Sequence, residues 1–124
     1  MRLRHVALAA GLALVACTDY TLPPGPGSLT ATLMSPNGAE GAAVMLLVGE
    51  GVSEIRAVGD AEVHAVASGD ETRVVVINQV GGALAFEIDV ADRRRPLVGV
   101  VTEVAGPDDA LRPSLSGYSL TIEP

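Results

Sequence analysis

The sequence predicts an all-β domain, an antiparallel two-sheet β-sandwich of about seven to nine short strands. Three observations predict it. Apolar residues come in short alternating or continuous runs, turn residues interrupt them every eight to twelve positions or so, and no amphipathic helical period is sustained. A single open sheet would leave one apolar face uncovered, so the pattern favours two packed sheets.

The elements follow in order from Ser28. In LTATL, Leu29, Ala31 and Leu33 fall on one side and Thr30 and Thr32 on the other, and SPNGAEG then ends the strand with turn residues. The run AAVMLLV, residues 42–48, is continuously apolar between Gly41 and Gly49 and reads as a central strand covered on both faces. VSEIRAV, AEVHAVA and ETRVVVIN are separated by GD and SGD, pairs suited to tight turns. ALAFEIDV alternates most clearly: Leu84, Phe86, Ile88 and Val90 face inward, and Ala85, Glu87 and Asp89 face outward. PLVGVVTEV follows an arginine corner, then a long loop, AGPDDALRPSLSG, leads to YSLTIE, which alternates through Tyr118, Leu120 and Ile122. With one phenylalanine and no tryptophan, the core must come from aliphatic residues around Phe86.

The first 27 residues are of another kind. MRLRH carries two arginines, and VALAAGLALVA, residues 6–16, is apolar throughout, the n-region and h-region of a secretory signal peptide. Eleven apolar residues fall short of the about 20 that a membrane-spanning helix needs. TDYTLPPGPG, residues 18–27, mixes prolines and glycines and reads as a semi-extended tether, reaching up to ~30 Å at about 3.1 Å per residue. The division expected is therefore a signal peptide at 1–16, Cys17 with the tether at 17–27, and the sandwich at 28–124. Cleavage after Ala16 removes Arg2 and Arg4, leaving six arginines against fifteen acidic residues, a side-chain balance of −9. So acidic a domain is repelled by phosphate backbones, which excludes nucleic acid as a partner.

Leu14-Val15-Ala16-Cys17 resembles the lipobox of bacterial lipoproteins, in which two apolar residues and a small one precede a cysteine. The resemblance implies cleavage between Ala16 and Cys17, diacylation of the Cys17 thiol and acylation of the new amino group. Two or more acyl chains give stable anchoring where one does not. It also implies a bacterial cell-envelope address, and threonine rather than aspartate at position 18 points to the outer membrane, facing the periplasm or the cell surface. Further along, GAAVMLLVGEGVSEIRAV and GDETRVVVINQVGGALAFEIDVAD are similar to cohesin-type and other bacterial immunoglobulin-like sandwiches, which implies a related architecture.

Each candidate for chemistry meets a plainer reading. His64, the only histidine left after cleavage, shares a strand face with Glu62 and Ser68, but no G-x-S-x-G nucleophile turn follows, so a solvated histidine is expected. One histidine without a free thiol cannot supply the usual zinc ligands. Asp89, Asp92, Asp108 and Asp109 lie near turns without calcium-loop spacing, which favours local turn bonding. No glycine-rich phosphate loop or dinucleotide fingerprint occurs and lysine is absent, so no cofactor is expected. Arg93-Arg94-Arg95 is the single basic cluster, either a solvated corner or a contact for an anionic headgroup or acidic partner. The expectation is a non-enzymatic envelope lipoprotein, held to the membrane through Cys17, whose sandwich binds an envelope protein or gives structural support. The end loops at 35–41 and 106–117 are the places where recognition is sought. The alternatives are a small hydrolase or metal-dependent enzyme, and a ligand-binding accessory lipoprotein.

Overall fold

A computed structural model describes residues 22–124, and the expected signal peptide, the Ala16–Cys17 junction and tether residues 17–21 lie outside them. Every regular element described is a strand. They are β1 (Gly27–Met34), β2 (Ala42–Val48), β3 (Val52–Ala57), β4 (Glu62–Ser68), β5 (Glu71–Ile77), β6 (Ala85–Val90), β7 (Val98–Ala105) and β8 (Ser119–Glu123). They form two antiparallel four-stranded sheets, ordered β3-β6-β1-β8 (sheet A) and β4-β5-β2-β7 (sheet B). The all-β two-sheet sandwich read from the sequence is the fold.

The pairing is nested. β1 lies beside β8, β2 beside β7, β3 beside β6 and β4 beside β5, with successive pairs alternating between the sheets. The chain thus behaves as one long hairpin folded over on itself. β1–β6 and β2–β5 pairing joins the ribbons laterally.

Period-two alternation sets the core. Leu29, Ala31 and Leu33 of β1 and Phe86, Ile88 and Val90 of β6 point inward from sheet A. Ala43, Met45 and Leu47 of β2, with Val74 and Val76 of β5, meet them from sheet B. Phe86 is fully buried, as its place in the strongest alternating strand requires. β8 packs Leu120 and Ile122 against this core at one edge.

Two expectations change. β2 is central in sheet B, but only its alternate residues are covered; Val44 and Leu46 are half-buried and Val48 is exposed on the outer side. A continuous apolar run suits burial on both faces, but no element lies over that face among the described residues. The second change concerns the tether. β1 begins at Gly27 rather than Ser28, and residues 22–26 lie against the β6–β7 loop.

Candidate functional site

Odd-numbered strands of β1–β4 and their partners place the loops at two ends of the sandwich. One end carries residues 35–41, 58–61, 78–84 and 106–118; the other carries 49–51, 69–70, 91–97, the incoming residues 22–26 and the C-terminus. The two ends are built differently.

At the first end Glu40 is buried, its side chain only 1% exposed, and both its oxygens are taken. Arg112 donates from Nε and Nη2 to Oε1 at 3.0 and 2.8 Å. Ser35 donates its hydroxyl to Oε2 at 2.6 Å, and the Tyr118 hydroxyl donates to the same oxygen. Asn37 Nδ2 in turn donates to the Tyr118 hydroxyl at 2.8 Å. Gly41 allows the approach: a Cβ there would sit 2.6 Å from the Gly106 carbonyl oxygen. Burial pushes the Glu40 carboxyl up, but the bonds from Ser35, Tyr118 and Arg112 outweigh it and hold the group below its ordinary value. A carboxylate so held is a poor proton acceptor and is closed to a substrate. It clamps loop 35–41 to loop 106–117, the two loops singled out for recognition. The sequence carries faint signals for this: one acid in a glycine-alanine stretch, and one base, Arg112, in the long loop.

At the second end the arginine corner receives the incoming chain. Arg93 N donates to the Gly25 carbonyl at 2.9 Å, Gly25 N donates to Asp92 Oδ1 at 3.3 Å, and Arg94 Nε donates to the Leu22 carbonyl at 2.6 Å. Arg95 Nη1 lies 2.8 Å from Glu50 Oε2. Asp92 accepts from the Arg94 and Gly25 amides, and these bonds lower its carboxyl. Arg93 lies over Gly27, where a Cβ would overlap it, and its buried Nε has no hydrogen-bond partner among the described residues.

The remaining candidates are separate. His64 Nε2 sits 3.2 Å from Glu62 Oε2, both side chains about two-thirds exposed on the outer face of β4. Asp108 accepts from the Ala110 amide, Asp109 adopts a left-handed turn conformation, and Asp89 bonds Arg56 and Ser28. Among the described residues no three histidine, cysteine or acidic side chains gather as a metal site would require.

The outer faces of the two sheets complete the surface. On sheet A, Arg56, Glu87, Thr30 and Glu123 form one cross-strand row. Arg56 reaches Glu87 at 2.9 Å and Asp89 at 2.8 Å, and Ser28 donates to Asp89 at 2.7 Å. On sheet B the register aligns Val66, Arg73, Leu46 and Val100 in one row, and Ser68, Glu71, Val48 and Val98 in the next. Val66 is 70% exposed and Val98 58%. With Val44 and Val75 in the row above, between His64 and Glu103, the three rows span roughly 400 Å² at about 4.8 Å between strands and 3.4 Å per residue, and valine and leucine hold just over half of the positions. The sequence hid this face because a both-sides-covered strand and a bare one share the same apolar text. Comparison with protein-family models, curated proteins and solved structures finds no match to this chain.

Proposed function

We propose that this is a cell-envelope lipoprotein whose β-sandwich is a binding or structural module, carried on a lipid anchor at Cys17. The observation that supports a binding module most is the bare outer face of sheet B. The largest apolar patch on a monomer is often a functional one. The face is built of valine and leucine with Arg73 inside it and Glu71 and Glu103 at its border, an apolar centre with a polar rim. The recognition surface is thus a sheet face rather than the end loops. Loops 35–41 and 106–117 serve instead to hold the sheets in register.

The test is crosslinking and capture of the acylated protein from its own envelope, compared with a Val66→Asp, Val100→Asp variant and with Cys17→Ser. Loss of the captured partner in the double variant, with membrane retention unchanged, is expected. The same partner captured by both chains would overturn the assignment of the face, and tight membrane retention of Cys17→Ser would overturn the anchor.

A further inference from the structure

We propose that the cleft under Arg93, Arg94 and Arg95 receives the phosphate of an anionic lipid headgroup in the membrane that holds the anchor. The inference rests on reading Cys17 as acylated, and adds to it a second, non-covalent contact that orients the domain.

The cleft has the chemistry of an anionic amphiphile site. It encloses about 510 Å³ at the open end of the sandwich, where Leu22, Leu29, Leu97 and Ile122 supply an apolar floor and the three arginines a rim. Guanidinium groups suit phosphate because their planar forks present paired donors. Arg95 is engaged by Glu50 and Arg94 by the Leu22 carbonyl. Arg93 forms no ion pair among the described residues, and its buried Nε is unpartnered. A buried donor left without a partner is a cost that a bound anion removes.

Geometry brings the corner to the membrane. Because Arg94 bonds the Leu22 carbonyl, five residue steps separate Cys17 from a point held to the domain. Five residues span at most about 18 Å fully extended. The tether is therefore short, and the end it ties down is the arginine end. Part of the acidic excess lies far from this contact and part of it shares the same end. Asp60, Asp108 and Asp109 lie at the opposite end, a strand length of roughly 23 Å away, while Asp70, Glu71 and Glu123 share the arginine end. That strand length is about three Debye lengths at physiological ionic strength. Close to the corner, only Asp92 and Glu50 face the three arginines in the bonds described.

The mature chain carrying Cys17→Ser, which has no acyl group, isolates this contact. Amide shifts are followed on titration with short-chain phosphatidylglycerol below its micelle concentration, with short-chain phosphatidylcholine, and with inorganic phosphate. Saturable shifts confined to Gly27, Arg93, Arg94, Arg95, Leu97 and Ile122 are expected with phosphatidylglycerol, weaker with phosphatidylcholine and weaker still with phosphate. Arg93→Gln leaves the Leu22 and Glu50 contacts in place and should raise the dissociation constant about fivefold, the effect of one arginine near an anionic surface; Arg93→Lys, which keeps the charge without the fork, should restore only part of it. No saturable shift, or unchanged affinity in Arg93→Gln, would overturn the proposal. Equal binding of inorganic phosphate would overturn the headgroup and assign a free-anion site. The anchor is read separately, from the mass of the wild-type mature N-terminus, so either reading can fail without the other.

Discussion

The outer faces of sheets A and B come from strands of similar length in one small domain, yet they meet water differently. On sheet A a row of threonine, serine, glutamate and arginine satisfies itself, with Arg56 joining Glu87 and Asp89 across β3 and β6. On sheet B most of the equivalent positions are valine and leucine, with Arg73 among them and His64, Ser68, Glu71 and Glu103 around them. Antiparallel sandwiches normally keep both outer faces polar. The core takes only one side of β2 and β7, so the apolar residues on the other side lie outside it.

The largest test asks whether the two sheets are one cooperative unit. Phe86→Ala removes the largest buried side chain and should cost ~3–5 kcal/mol in a chemical melt, with both sheets unfolding together. Two separate transitions would break the comparison, because the faces would then belong to independent layers. Next in size is Glu40→Gln, which leaves Arg112 without its carboxylate; about 3 kcal/mol is expected for breaking a buried pair. This change also carries a pH signature. The Glu40 carboxyl is lowered in the folded state, so its stabilisation is fully present above the unfolded value of about 4.3 and is lost as pH falls through the folded one. Wild-type stability should fall with acidification in that window, and the Gln variant should show a shallower slope. A slope unchanged in Glu40→Gln would assign acid sensitivity to Asp89 and Asp92, whose carboxyls are also lowered by their hydrogen-bond partners, Arg56 and Ser28 for Asp89 and the Arg94 and Gly25 amides for Asp92.

The two faces themselves should respond least in stability and in opposite ways. Val66→Asp with Val100→Asp should alter the melt by about 0.5 kcal/mol or less, as exposed substitutions do, while reducing binding of 1-anilinonaphthalene-8-sulfonate or a similar apolar dye. A large loss of stability would mean that this face is packed rather than bare. Arg56→Gln on sheet A should give the smallest change, one that fades at high salt because the ion pairs it removes are exposed. A salt-independent effect would show that the polar row matters through packing.

Much of the architecture was legible in the residues. Alternation in LTATL and ALAFEIDV identified the inward faces of β1 and β6, and GD and SGD marked turns between β3, β4 and β5, because period two and turn chemistry are local properties. Strand order was not legible, since β1 with β8 is a pairing across almost the whole domain. The Glu40 cluster escaped for the same reason: Ser35 is near it in sequence, but Arg112 and Tyr118 are brought to it only by the fold. Arg93, Arg94 and Arg95 were visible as a cluster, and what stayed hidden was that the incoming chain lies on them.

The β1–β8 pairing also bears on the order of events when the chain is made. β1 sits between β6 and β8, two strands that emerge long after it. Nested long-range pairing of this kind folds slowly, on the millisecond-to-second scale typical of β-sandwiches. Sheet A cannot close until β8 is free. A chain threaded through a narrow pore from its N-terminus would stay open for the whole passage and complete its fold only on the far side.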